Sequence, residues 1–185
     1  MTIKNDFIRV TSVLYPFSGL HKINPDVVKA AAERGGKVHE ICDALINGLG
    51  LLDTVDEPLY GYISSFEQWY KEKIFIPNPK RFYCDKLGIT GECDGIYQDG
   101  GLVLFDIKTP LKESKTWSLQ CSAYAYLARL QGFNIKRIEV VKLSKDGKEP
   151  TVYQYEDNFD LFLKCLEIYK HFFNKSSDED FLESL

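Results

Sequence analysis

The sequence predicts one α/β domain with a central mixed β-sheet flanked by α-helices on both faces. Helical and strand-like patterns alternate along the chain, which favours layers of helices around a sheet. Of the 185 residues, 44% are hydrophobic, which is enough to close one core in a length too short for two full domains. We therefore expect a single domain over residues 1–185.

Residues 1–75 are predicted to form an N-terminal arm and two helices. The β-branched run from Ile8 to Leu14 favours a short strand or extended arm. Asn24-Pro25-Asp26 is typical of a helix start, with Asn as the N-cap and Pro at the first helical position. The adjacent Gly35-Gly36 pair costs about 1 kcal/mol per residue relative to alanine inside a helix, so it predicts a kink or a close approach to the backbone. A second helix is predicted from Leu59 to about Ile74.

Residues 80–156 are predicted to hold the sheet, and residues 157–175 a C-terminal helix. The strand-like runs are Arg81 to Leu87, Ile89 to Tyr97, Leu102 to Lys108, Ile135 to Leu143 and Thr151 to Tyr155. The first three favour an antiparallel meander, because Gln98-Asp99-Gly100-Gly101 is a strong hairpin signal. Residues 116–131 favour a helix that ends at Gly132.

Charge and cysteine content limit the classes of partner. The net charge of −4 gives no general attraction to a polyanion, so nucleic-acid binding would need a local basic groove or bound cations. Five scattered cysteines without a C-x-x-C pair, and no signal-like apolar N-terminus, favour the reduced cytoplasm. No apolar run approaches the roughly 20 residues that span a bilayer, so we expect a soluble protein without a membrane partner.

Three charged residues are predicted to converge at one end of the sheet. Asp106 and Lys108 share a strand face because side chains alternate, while Phe105 and Ile107 lie on the other face. The hairpin places Asp94 on the neighbouring strand. Burying two carboxylates and an ammonium is costly unless a cation binds, and oxygen donors of this kind suit Mg²⁺ or Mn²⁺. The alternative is a solvated ion pair at a strand end, with Gly-x-x-Asp as an ordinary turn.

Four short motifs occur in one order along the chain. They are Gly35-Gly36-Lys37-Val38-His39, Gly91-x-x-Asp94, Asp106-x-Lys108 and Gln120-x-x-x-Tyr124. This ordered set resembles the RecB-like branch of the PD-(D/E)XK nucleases, which includes phage and mitochondrial genome-maintenance exonucleases and CRISPR-adaptation nucleases. Many members have Glu where this chain has Asp106. The cysteine spacing does not resemble that of the iron–sulfur variants, so no cluster is predicted.

The resemblance implies a PD-(D/E)XK restriction-endonuclease-like core and a role for each motif. The implied ligands of one or two Mg²⁺ or Mn²⁺ ions are His39, Asp94, Asp106 and the backbone carbonyl of Ile107. Lys108 would position or deprotonate the attacking water, and Gln120 and Tyr124 would brace the site or touch the scissile strand. Glu40 and Glu92 are further carboxylates near the motifs. The alternatives are a satisfied core histidine at His39 and a hydrogen-bonded core pair at Gln120 and Tyr124.

The function implied by the resemblance is metal-dependent hydrolysis of DNA phosphodiester bonds. We expect an exonuclease that acts on single strands or ends in DNA repair, recombination or phage DNA processing, as a homo-oligomer or with a helicase or recombinase. The alternatives are a structure-specific or restriction-type endonuclease, and a non-catalytic nuclease-fold module that binds nucleic acid or a helicase. Trp117 and Tyr15 could stack on unpaired bases, although buried aromatics are the commoner outcome.

Overall fold

The computed structural model describes residues 7–49, 55–77 and 81–173. These residues form five α-helices and eight β-strands, with short 3-10 helices between them. In chain order the elements are β1 (Ile8–Arg9), α1 (Val10–Leu14), α2 (Pro25–Ile46), α3 (Tyr60–Tyr70), β2 (Ile74–Phe75), β3 (Arg81–Cys84), β4 (Ile89–Glu92), β5 (Gly95–Gln98), β6 (Leu102–Lys108), α4 (Thr116–Leu130), β7 (Ile135–Lys142), β8 (Thr151–Tyr155) and α5 (Phe159–Phe173). The alternation of helices and strands confirms the α/β class. None of the helices within the described residues combines the length and the hydropathy that a bilayer-spanning segment needs.

The strands form two mixed sheets. One has three strands in the order β1-β4-β3, and the other has five in the order β2-β5-β6-β7-β8. Strand β1 runs parallel to β4, and β6 runs parallel to β7, while the other neighbours are antiparallel. The predicted single meander is wrong, because the chain leaves the first sheet after Glu92 and enters the second at Gly95. The run from Ile89 to Tyr97 is therefore two strands.

Helices cover both faces of the five-stranded sheet, as predicted. Val103, Phe105 and Ile107 of β6 belong to the hydrophobic cluster that includes α2 and α3. Leu104 belongs to the cluster on the other face, which includes α1, α4 and α5. Because side chains alternate along a strand, Asp106 lies on the face that α4 covers. The site residues of β6 therefore lie beneath α4.

Two segments differ from the sequence prediction. Val10–Leu14 is helical rather than extended, because its helical spacing buries three of its five residues in the core. Helix α3 ends at Tyr70, and Ile74–Phe75 instead pairs with β5. Helix α2 runs unbroken through Gly35-Gly36, and a Cβ atom at Gly35 would lie 3.7 Å from Oγ1 of Thr109, so another segment packs closely against the helix there.

Both helices that carry site residues have the predicted ends. In α2 the side chain of Asn24 accepts a hydrogen bond from the Asp26 amide at 2.9 Å, and Pro25 is the first helical residue. Helix α4 is followed by Gly132, whose φ of 92° lies in the left-handed region. The last two residues of the predicted C-terminal helical region, 174 and 175, lie outside the described residues.

Gly91 on β4 allows α4 to pack directly on the three-stranded sheet. A Cβ atom at this position would lie 2.5 Å from Cδ1 and 2.7 Å from Cε1 of Tyr124. Both atoms belong to a rigid ring that is 3% exposed, so the ring cannot move aside freely. The glycine of the Gly-x-x-Asp motif is therefore required by the contact between sheet and helix.

We predict that Gly91→Ala destabilises the fold by about 1–3 kcal/mol, because the added methyl group pushes the Tyr124 ring and α4 away from β4. Gly36→Ala is the matched control, since a Cβ there meets no atom within 4 Å. In a continuous helix that change should stabilise by about 1 kcal/mol. Thermal unfolding measures both effects. Shifts of the melting temperature in the same direction for the two variants would contradict this explanation of Gly91.

Candidate active site

The site forms where the chain passes from β4 to β5. Gly95 is the first residue of β5 and pairs with Phe105 of β6. No residue of β5 therefore lies opposite the backbone N–H of Ile107, which comes two residues later. That N–H donates to Oδ2 of Asp94 at 2.5 Å. The Asp94 side chain thereby replaces the missing strand partner, and it is held at the C-terminal end of β6.

Asp106 and Lys108 form a buried ion pair next to Asp94. The side chain of Asp106 is 4% exposed and that of Lys108 is 17% exposed, with Nζ 2.5 Å from Oδ2. Among the described residues, Oδ2 accepts no correctly angled hydrogen bond, so the contact is ionic. Burial raises the pKa of Asp106, although the Lys108 charge opposes it. The alternative of a solvated ion pair is therefore wrong.

His39 on α2 binds the other oxygen of Asp94. Its Nδ1 lies 2.6 Å from Oδ1, and its side chain is 34% exposed. Burial opposes a charge on the ring, but the Asp94 carboxylate outweighs it and raises the pKa of His39. Burial likewise opposes the charge of Asp94, but His39 and the Ile107 N–H lower its pKa. His39 therefore faces the charged site rather than the apolar core.

Gln120 and Tyr124 form a hydrogen-bonded pair one turn apart on α4. Nε2 of Gln120 donates to the Tyr124 hydroxyl at 2.9 Å. Burial raises the pKa of Tyr124 well above its ordinary value, so the phenol is neutral. Both side chains line the same pocket as the charged residues. The pair is therefore both a hydrogen-bonded core pair and a border of the site, which are the two alternatives that the sequence left open.

The pocket has a volume of about 360 Å³. Its lining residues are His39, Glu40, Asp43, Glu92, Cys93, Asp94, Asp106, Lys108, Gln120 and Tyr124. Every predicted site side chain is therefore in one place. Asp43 was missed from the sequence, although it lies one helical turn after His39 and that spacing could have indicated it. Five carboxylates surround this space, so it strongly favours cations.

The donor atoms suit a divalent ion but are not arranged around a common point. Among the residues that the structure describes, no group of three or more His, Cys, Asp or Glu side chains has the spacing of metal ligands. His39 and Asp94 contact each other, and Lys108 neutralises Asp106. Carboxylate oxygens and an imidazole are nevertheless donors that Mg²⁺ and Mn²⁺ accept. The Asp106 carboxylate, buried at the pocket with Lys108 against its Oδ2, fits such a ligand.

The backbone carbonyl of Ile107 also points toward this site. The carbonyl of Lys108 accepts a hydrogen bond from the Leu143 amide at 2.8 Å, so it points toward β7. Successive carbonyls along a strand point to opposite edges, so that of Ile107 points to the edge where Asp94 lies. The geometry therefore fits the predicted backbone ligand.

Comparison with known proteins does not identify a family. No protein-family model matches the chain, and no curated protein matches it. Among solved structures, the chain is similar to one titled "Crystal structure of SSO0001", with 14% sequence identity and a TM-score of 0.44. The match covers 95% of this chain and 80% of that one. Such a low similarity gives no basis for assigning function.

We predict that Asp94→Asn lowers the pKa of His39 in protein kept free of metal with EDTA. The substitution removes the carboxylate that raises this pKa, while the burial that lowers it remains. NMR titration of the His39 ring measures the change. Stabilisation by charged His39 is present below pH 6.5, the ordinary histidine pKa, and is lost as the pH rises through the folded-state pKa.

Glu40→Gln is the control for this titration, because Glu40 is a carboxylate of the same pocket beside His39 in sequence. We expect it to leave the His39 pKa much closer to that of the wild type. An equal decrease in both variants would show that the general negative charge of the pocket, rather than the contact with Asp94, sets this pKa.

Proposed function

We propose that the chain is a divalent-metal-dependent DNA nuclease of the PD-(D/E)XK kind, resembling the RecB-like exonucleases in its motifs and acting on single strands or ends. The observation that carries the proposal is the convergence of Asp94, Asp106, Lys108 and His39 in one pocket. The residues come from separate elements, and burying their charges contributes little to the stability of a sheet. The expected roles in DNA repair, recombination or phage DNA processing stay predictions, as do the partners.

The charge of the pocket is the argument for metal dependence. Five carboxylates and a single lysine line it, so a phosphodiester anion would be repelled in the absence of cations. Asp94, Asp106, the Ile107 carbonyl and His39 are the groups that would hold a divalent ion. When bound, such an ion would activate water and offset the negative charge that develops on the phosphate oxygens.

Lys108 is suited to act as a cation rather than as a base. Burial opposes the charge of its ammonium group, but Asp106 outweighs burial and raises the pKa of Lys108. In the metal-free protein the group is therefore protonated at neutral pH. Its N–H donors can orient the water and stabilise negative charge on the phosphate. Of the two roles implied by the resemblance, positioning is the better supported.

Tyr124 and Gln120 are suited to contact the phosphate backbone. The Tyr124 hydroxyl accepts from Gln120, which leaves its own hydrogen to donate into the pocket. Because its pKa is raised, the phenol remains a donor across the physiological pH range. A neutral donor can approach a phosphate oxygen that the surrounding carboxylates would otherwise repel.

We predict that end-labelled single-stranded and double-stranded DNA is degraded with Mg²⁺ or Mn²⁺ and is left intact with EDTA. Asp106→Asn and Lys108→Ala should each reduce the rate by at least about a hundredfold, because each removes a group that acts on the reacting phosphate or its metal. Lys136→Ala is the matched control. It removes an exposed lysine of β7 near the other end of the sheet, so activity should persist.

The products separate the alternatives. Release of nucleotides from labelled ends supports an exonuclease, whereas cleavage of closed circular DNA would favour the endonuclease alternative. Inactivity of the wild type with every metal would contradict the proposal. If the inactive protein still bound DNA, the alternative of a non-catalytic nucleic-acid-binding module would be the better explanation.

A further inference from the structure

A second, smaller pocket adjoins the catalytic one. It has a volume of about 150 Å³, and its lining includes Arg9, Arg81 and Thr90. Glu92 and Tyr124 line both pockets, so the two spaces lie side by side. The larger pocket is rich in carboxylates, whereas this one contains two guanidinium groups.

Four residues of the second pocket, Arg9, Arg81, Thr90 and Glu92, lie on the face of the three-stranded sheet opposite the one on which α4 packs. Arg9 is in register with Thr90, and Thr90 is in register with Tyr83. Arg81 is in register with Glu92. Residues in register, and residues two apart on a strand, project to the same face. These five residues therefore share one face, which we call the outer face, while the intervening residues Phe82 and Ile89 are fully buried on the other.

An exposed aromatic ring extends the outer face beyond the pocket. Tyr83 is 46% exposed. Phe7 packs edge-on against it with ring centroids 5.2 Å apart, which holds the ring in place. Trp117, by contrast, is 4% exposed and packs against Tyr153, so the commoner outcome of a buried ring is confirmed for it. An exposed, braced ring beside guanidinium groups is the combination that binds unpaired bases.

Arg81 of the outer face can exchange its partner at low cost. Arg81 forms an ion pair with Glu92, in which the two side chains are 38% and 50% exposed. Such exposed pairs are weak, so a phosphate can replace the carboxylate. With Arg9 and Arg81 against one carboxylate, the outer face is net positive in a chain whose net charge is −4. It is therefore a local basic surface of the kind that DNA binding requires.

We propose that the outer face binds the single DNA strand next to the scissile phosphate, with Arg9 and Arg81 on backbone phosphates and Tyr83 stacked on a base. This inference rests on the proposed function, because it describes how the substrate of the proposed nuclease site is bound. It also explains how a pocket with five carboxylates obtains affinity for a polyanion. The ring of Tyr83 requires an unpaired base, so the face selects single strands over duplex.

The phosphate contacts are tested by the salt dependence of binding. An inactive Asp106→Asn protein is titrated with a fluorescent oligothymidylate in Ca²⁺, and affinity is followed by anisotropy at increasing salt. Adding Arg9→Ala should reduce the slope of log affinity against log salt by about 0.7, the value for one lost phosphate contact on a single strand. The Arg81→Ala/Glu92→Gln pair should do the same without leaving Glu92 as an unpaired anion. Lys136→Ala should leave the slope unchanged.

The stacking contact is tested with an abasic oligonucleotide of the same length. Tyr83→Ala should weaken binding of oligothymidylate about 5- to 100-fold and leave binding of the abasic strand unchanged, whereas Tyr83→Phe should bind both like the parent. Tyr60→Ala, which removes another exposed tyrosine on α3, is the control. Equal weakening toward both oligonucleotides would indicate a structural role for Tyr83 and would overturn the stacking proposal.

The outcomes keep the two proposals apart. If cleavage fails with every metal but DNA binding still depends on Arg9 and Tyr83, the result supports DNA binding by the outer face and excludes the proposed nuclease activity. If the wild type cleaves DNA and the outer-face variants bind and cleave it equally well, the nuclease activity is supported and DNA binding by the outer face is excluded. Duplex DNA that binds as tightly as the single strand, with the same dependence on Tyr83, would overturn the selection of single strands.

Discussion

The hydrogen bond from the Ile107 amide to the Asp94 carboxylate is the interaction on which the site depends. It forms where one sheet ends and the other begins, and it satisfies an N–H that would otherwise cost about 1–3 kcal/mol if left buried without a partner. The same bond holds Asp94 beside Asp106 and leaves its second oxygen for His39. The requirement of the fold and the requirement of the site are thus met by one side chain.

The buried ion pair of Asp106 and Lys108 is easier to explain by function than by its contribution to stability. A buried ion pair contributes little to stability, and apolar residues of similar size often replace it without loss. Here the pair lies at the end of an otherwise apolar strand, on the floor of a pocket lined with further carboxylates. Such an arrangement is costly for the fold, and under the proposed function a cation and an anionic substrate would share the charge.

Local patterns predict much of this structure because they act within a few residues. Strand alternation places Asp106 and Lys108 on one face, and helical spacing pairs Gln120 with Tyr124. The break after Glu92 was not predictable in this way, since β-favouring residues continue through it and pairing with β3 or β6, far along the chain, decides where each strand ends. The outer face was missed for the same reason, because it joins β1, β3 and β4 only after folding.

We propose that this pocket is a divalent-metal site built on Asp94 and Asp106, and every role assigned to it depends on that ion. The most direct measurement is Mn²⁺ binding, followed by electron paramagnetic resonance and calorimetry. We expect saturable binding of one or two ions by the wild type and loss of binding in Asp106→Asn. Binding should be unchanged in Asp99→Asn, which alters a carboxylate paired with Arg137 at the other end of the sheet. Absence of saturable binding, or equal binding by the wild type and Asp106→Asn, would contradict it.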